Sequence, residues 1–144
     1  MSIPDQDHIN KVFLWMSYAD EDLDLANYAM KMPGSRSYRL IAFHAQQSAE
    51  KYLKAYLVYH DIDFPYTHDI RKLLKLCGNT IWIEKIKNAE DLTPFAVTTR
   101  YPMLEEKVTE NEAADAVNMA SMVRKIIRKA LMDEGLDLEE DASQ

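Results

Sequence analysis

Phe43-His44-Ala45-Gln46-Gln47-Ser48-Ala49-Glu50-Lys51-Tyr52-Leu53-Lys54-Ala55-Tyr56-Leu57 is the stretch on which the fold turns. It holds neither Gly nor Pro, and most of its residues are good helix formers. At 3.6 residues per turn, Ala42, Ala45, Ala49, Tyr52, Leu53 and Tyr56 share one face. The three alanines would let another helix approach closely. Nearly opposite run His44, Gln47, Lys51 and Lys54, at steps of three and four, flanked by Leu40, Phe43, Leu57 and Val58. A helix apolar on so much of its surface is central, or it buries a face against a second subunit. The pattern places it at about residues 37–60.

Working outward, residues 7–31 read as an earlier helix. Ile9, Val12, Phe13, Met16, Leu23, Ala26 and Met30 recur at helical steps on one face. Leu14, Tyr18 and Leu25 make a second apolar strip, so this helix is expected to meet two neighbours. Asp7 is the expected N-cap, and Pro33-Gly34 stops the helix. On the other side comes a loop, 61–67, containing Pro65. Thr67 or Asp69 would cap a short helix over 70–77, which Gly78 ends. A further helical piece, 80–88, leads to Leu92-Thr93-Pro94. The stretch 95–102 is either one helical turn or an extended link, and Pro102 disfavours helix at Tyr101. A last helix covers 111–133, with Ala113, Ala116, Val117, Ala120, Val123, Ile127, Ala130 and Leu131 on one face. Asn118, Ser121, Lys125, Arg128 and Lys129 lie on its other face. The sum is an all-α fold, an antiparallel up-down bundle of four to five helices.

Composition agrees. The 144 residues suffice for one domain with a real core, and 47% are apolar, which excludes wholesale disorder. Three Gly and five Pro leave little turn chemistry for a many-stranded sheet. The single cysteine, Cys77, rules out an internal disulfide and a thiolate zinc site, and fits a reducing compartment. No signal-peptide pattern opens the sequence, and no run approaches the ~20 apolar residues of a membrane span. The expectation is a cytoplasmic protein with no membrane contact. Of the 24 acidic residues, six fall within 133–144 (Asp133, Glu134, Asp137, Glu139, Glu140 and Asp141) with no base among them. The net charge of −7 is therefore a property of the C-terminal end, while the body is close to neutral. Local field, not total charge, decides whether an anion binds.

The quoted stretch resembles the second-helix signature of HEPN domains: an aromatic, a Gln-Gln pair, then Ala-Glu-Lys and a second Lys. Thr67-His68-Asp69-Ile70-Arg71-Lys72-Leu73-Leu74 resembles that family's His-then-short-helix segment. Thr99-Arg100-Tyr101-Pro102 resembles its Thr-Arg-Tyr-Pro segment before the last long helix. Order and spacing also fit, so a HEPN domain is expected over 9–131, followed by an acidic, disordered tail over 132–144. The resemblance implies a homodimer. It also implies a partner nucleotidyltransferase in a two-component, toxin–antitoxin-like pair, and either nucleotide binding or metal-independent ribonuclease activity.

The ribonuclease members carry an Arg, four to six residues, then a His, at the start of the last long helix. Here Arg100 is followed by Tyr101, Pro102, Met103, Leu104, Glu105 and Glu106, and no His occurs after His68. That chemistry uses an imidazole for proton transfer and a guanidinium for phosphate charge; half of the pair is missing. Arg39 and His44 match the spacing, but five residues on a helix turn them about 140° apart.

The candidate ligand-binding residues are His44, Gln47, Lys51, Lys54, Arg100 and Tyr101. Lys supplies point charge, Gln a donor and an acceptor, and Arg-Tyr an anion clamp beside a stacking ring. Against this stand plainer readings: a solvated or dimer-lining helix face for the strip, and core-edge packing for Tyr101. His68 and Asp69 could form a proton-transfer pair, or His68 could simply bond backbone at a helix start. Arg124, Lys125, Arg128 and Lys129 form a basic cluster or a solvated helix end. No metal site, cofactor or DNA-binding motif is expected. Three functions remain: a nucleotide- or RNA-binding module, a ribonuclease using His44 or His68, and a non-catalytic helical protein-interaction subunit.

Overall fold

A computed structural model describes residues 5–34, 36–96 and 107–138. Five α-helices occur among them: α1 (Gln6–Lys31), α2 (Tyr38–Tyr59), α3 (Ile70–Cys77), α4 (Ile83–Ile86) and α5 (Glu110–Asp133). A 3-10 segment, Lys87–Ala96, follows α4. Pro94 lies inside it, where the missing N–H and fixed φ exclude a regular α-helix.

Direction follows from the contacts. Trp15 of α1 meets Lys54 of α2, and Asp22 meets His44 and Lys51, so α1 and α2 are antiparallel. Tyr38 donates to Glu110 and Tyr56 donates to Glu134, each at 3.2 Å, so α2 and α5 run parallel. The return between them is a third leg, broken into α3, α4 and the 3-10 segment. The result is the up-down helical bundle expected from the hydrophobic pattern.

The centre of the bundle is α2. It packs most extensively on α1, then on α5, the 3-10 segment and α3. Ala42, Ala45, Ala49, Tyr52, Leu53 and Leu57 are fully buried, and so is Gln46. On α5, Ala113, Ala116, Val117, Ala120, Val123, Ile127, Ala130 and Leu131 are all buried, as their spacing predicts. On α1, Val12, Met16, Ala19, Leu23 and Ala26 make the core face. Phe13, grouped with that face by its spacing, is instead exposed, because it stands beside the stripe rather than in it.

The helix ends carry explicit caps. Asp5, not Asp7, starts α1: its carboxylate accepts from the His8 N–H at 2.8 Å. Asp69 caps α3 by accepting from Arg71 N–H. Thr109 and Glu112 form a capping box at α5, an S/T-x-x-E pattern that the sequence carries. At the end of α2, Asp61 adopts a left-handed φ of 55°, and Ile62 N–H reaches back to Leu57 C=O. At the end of α5, Gly135 does the same with φ 107°, and Leu136 N–H bonds Leu131 C=O. Both are Schellman turns, and each brings an apolar residue back onto the bundle. Leu136 is buried, so chain beyond α5 still belongs to the core.

Two buried phenols and a thiol have raised pKa values. Burial is the main cause at Tyr52, with its bond to Asp20 adding to it; burial also leads at Tyr56, helped by the Glu134 charge. For each phenol the folded value lies above the unfolded value near 10. Between the two, the unfolded chain has released its proton and the folded chain has not, so stability falls as pH rises. Melting temperature is therefore expected to drop steadily above about pH 10, together with the rise of tyrosinate absorbance. Burial pushes the Cys77 thiol up to about 12. Maleimide should label Cys77 at pH 8 only after denaturation, as mass spectrometry would read.

Candidate functional site

The polar strip of α2 divides into two adjacent rows. In the first, His44 and Lys51 stand seven residues apart and both turn toward Asp22 of α1. His44 Nδ1–H donates to Asp22 Oδ1 at 2.9 Å, and Lys51 Nζ donates to Oδ2 at 2.5 Å. One carboxylate thus binds both, and both side chains remain partly exposed. The strip is not a free solvated face, because α1 lies along its edge.

In the second row, Gln47 and Lys54 join a network that runs inward. Gln47 donates to Gln46 Oε1 at 2.7 Å. Gln46 donates to Glu50 Oε1 at 3.0 Å and to the His68 carbonyl at 3.3 Å, so a fully buried amide has both donors and its oxygen engaged. Glu50 also accepts from Lys54 at 2.9 Å through Oε2 and from His68 Nδ1–H at 2.9 Å through Oε1. The side chains of Glu50 and Lys54 keep only 3% and 6% of their surface exposed. The Lys54 ammonium lies 5.4 Å from the Trp15 ring and 5.7 Å from Phe64. Two aromatic faces and a carboxylate replace the water this cation has lost.

His68 is where the network meets the surface. With Nδ1–H directed at Glu50, the neutral ring leaves Nε2 as an acceptor facing outward. The Tyr66 hydroxyl lies 3.5 Å from Nε2, the outer limit for a hydrogen bond, and the two rings meet edge-on at 5.4 Å. Tyr66 is 91% exposed, an unusual position for an aromatic ring. His68 and Asp69 are not a pair: Asp69 caps α3 while His68 turns to Glu50.

Of the six residues nominated from sequence, the structure leaves three, His44, Gln47 and Lys51, half-buried on the α2 floor, whereas Lys54, expected on the same polar strip, is buried beneath it against Glu50, Trp15 and Phe64. Arg100 and Tyr101 lie outside the described residues. Sequence reasoning missed Asp22, Gln46, Glu50, Tyr66, Trp15 and Phe64. A signal existed for two of them: Gln46, Glu50 and Lys54 repeat at i, i+4 and i+8 beside the alanine face, and a Glu four residues before a Lys is a favoured helix pair. Nothing local in the sequence points to Asp22, whose role is set by how α1 crosses α2. The basic cluster of α5 is partly neutralised: Arg124 donates to Asp20 and Lys129 to Asp133. No group of side chains suited to hold a metal ion, and no helix long and apolar enough to cross a membrane, occurs among the described residues.

An up-down bundle whose central helix carries a polar, carboxylate-braced floor defines the class. The HEPN domain family model matches residues 12–130. This chain belongs to the HEPN family. The crystal structure of an archaeal HEPN homologue is similar, with TM-score 0.65 and 25% identity, covering 83% of this chain and 97% of the other. No curated protein matches the chain.

Proposed function

We propose that this HEPN domain is a nucleotide- or RNA-binding module that acts as a homodimer beside a nucleotidyltransferase partner, in a toxin–antitoxin-like pair. The observation that carries the reading is the surface end of the floor. Tyr66 offers an exposed ring for stacking, His68 offers a fixed acceptor, and on the neighbouring row Lys51 offers a cationic donor and His44 a second oriented imidazole. A base plus a phosphate needs those features together. Asp22 and Glu50 hold their partners in place before any ligand arrives, which lowers the ordering cost of binding. Arg100 and Tyr101 are proposed to complete the site with an anion contact and a second ring.

The test is a titration of the full chain against ATP, GTP and a mixed-sequence RNA at low salt. Saturable binding is expected, weakened about tenfold by Lys51→Ala or Arg100→Ala (~1.4 kcal/mol). Absence of binding to all three by a folded protein would refute this reading and favour a non-catalytic protein-interaction subunit.

One observation favours a second reading, a metal-independent ribonuclease. Both imidazoles have a carboxylate on Nδ1, the arrangement that orients a general base, and His68 is the more exposed of the two. RNA cleavage in EDTA that His68→Ala abolishes would establish it; cleavage retained by both His44→Ala and His68→Ala would remove it.

A further inference from the structure

The helix α1 has two apolar faces, and only one is covered. Val12, Met16, Ala19, Leu23 and Ala26 enter the core. Displaced by two residues, and so on the opposite side, run Leu14, Tyr18, Glu21, Leu25 and Tyr28, continued by Met32 at the C-cap. Their spacing is 4-3-4-3-4, the seam of a coiled coil over almost three heptads. The five apolar members are between 46% and 76% exposed. These are five of the eleven large hydrophobic side chains that stand exposed among the described residues, gathered on one line. Scattered exposed apolar residues need no explanation; a contiguous stripe marks an interaction surface.

We propose that this outer seam of α1 is the interface between two copies of the chain, paired antiparallel about a two-fold axis beside Leu23. The proposal rests on the homodimer part of the reading above and goes beyond it by naming the surface and the register. The seam reads nearly the same in both directions. Reversed about position 23, Leu14 of one copy meets Met32 of the other, Tyr18 meets Tyr28, and Glu21 lies beside Leu25. An isologous interface requires this self-complementarity. At the end of the seam, Asp24, Asn27, Tyr28, Lys31, Met32 and Pro33 line an open depression, which would receive Leu14 of the other copy.

Charge sets the character of the dimer. Glu21 and Asp24, both exposed, come near their own copies at the axis. Their repulsion is weak in water and screened by salt, so added salt tightens the pair. A parallel register is worse, since it sets Glu21 directly against Glu21 inside the seam. Paired helices of this length bury about 1,000 Å², at the low end for specific association, so the dimer dissociates on dilution.

The test is sedimentation of the full chain over a concentration series, with three variants. Leu25→Glu, at a half-exposed position, leaves the helical circular dichroism unchanged and weakens the dimer at least a hundredfold. Glu21→Leu tightens it about tenfold. Asp24→Cys, probed with a short bismaleimide, cross-links into a dimer because position 24 lies next to the axis. Leu14→Cys does not cross-link, its copies being about 27 Å apart along the helices; buried Cys77 stays silent in both.

A dimer unmoved by Leu25→Glu overturns the face but leaves the homodimer reading standing. Cross-linking through Leu14→Cys overturns the register. A wild-type chain that stays monomeric at every concentration and salt overturns the inference and the homodimer together, and leaves the seam to a different protein.

Discussion

Glu50→Ala is expected to destabilise the domain by about 3–5 kcal/mol. The carboxylate itself is not the reason, since a buried ion pair gains little over an apolar pair of the same volume. The cost lies in what is left behind. Lys54 would keep its ammonium in a site from which water is excluded, with only the faces of Trp15 and Phe64 beside it. Gln46 would lose one acceptor and His68 another, and the Gln46 amide is fully buried. The control is Glu50→Ala with Lys54→Met, which removes the stranded charge along with its partner. If urea unfolding finds that the double variant recovers most of the loss, the penalty is desolvation of an unpaired cation. A double variant as unstable as the single one would contradict this account and place the cost in packing around residue 50.

Leu53→Ala should cost about 3–5 kcal/mol, in the upper part of the range for such truncations. Cavity cost depends on whether neighbours can close in. Leu53 is fully buried on a helix that has α1, α5, α3 and the 3-10 segment around it. No single element can shift inward without losing its contacts elsewhere, so most of the void persists. Leu53→Met, which nearly conserves volume, should cost under ~1.5 kcal/mol. Equal losses for the two variants in thermal or urea unfolding would show that shape, not volume, limits this position.

Much of the architecture was legible because it is written in periodicity. The alanine face of α2 and the apolar face of α5 each repeat at three and four, and every residue assigned to them is buried. Boundaries were good to a residue or two, with one exception in kind: the part of the third leg that follows α3. Residues 87–96 hold too few periodic positions, and Pro94, to distinguish a 3-10 coil from a loop. The site was legible only as a list of polar residues on one helix. That His44 and Lys51 share one acid, and that Lys54 turns inward, depends on Asp22, Trp15 and Phe64, which lie 10 to 39 residues away and meet α2 only when α1 and the loop fold over it. Helical spacing gives the face of a side chain but not its partner across an interface. The carboxylate that orients His68 was missed for a related reason: Glu50 sits between residues assigned to the polar strip and residues assigned to the core, and it serves both.

The two tryptophans occupy two different neighbourhoods, and that gives the molecule a built-in pair of optical probes. Trp15 stands against the Lys54 cation and the edge of Phe64, at the inner end of the floor. Trp82 is buried edge-on to Tyr56, at the junction of α2 with the third leg. A ligand settling on His68 would shift charge next to one indole and leave the other undisturbed, whereas loosening of the third leg would reverse that pattern. Emission from the unlabelled protein, with each indole replaced in turn by Phe, therefore separates occupancy from opening.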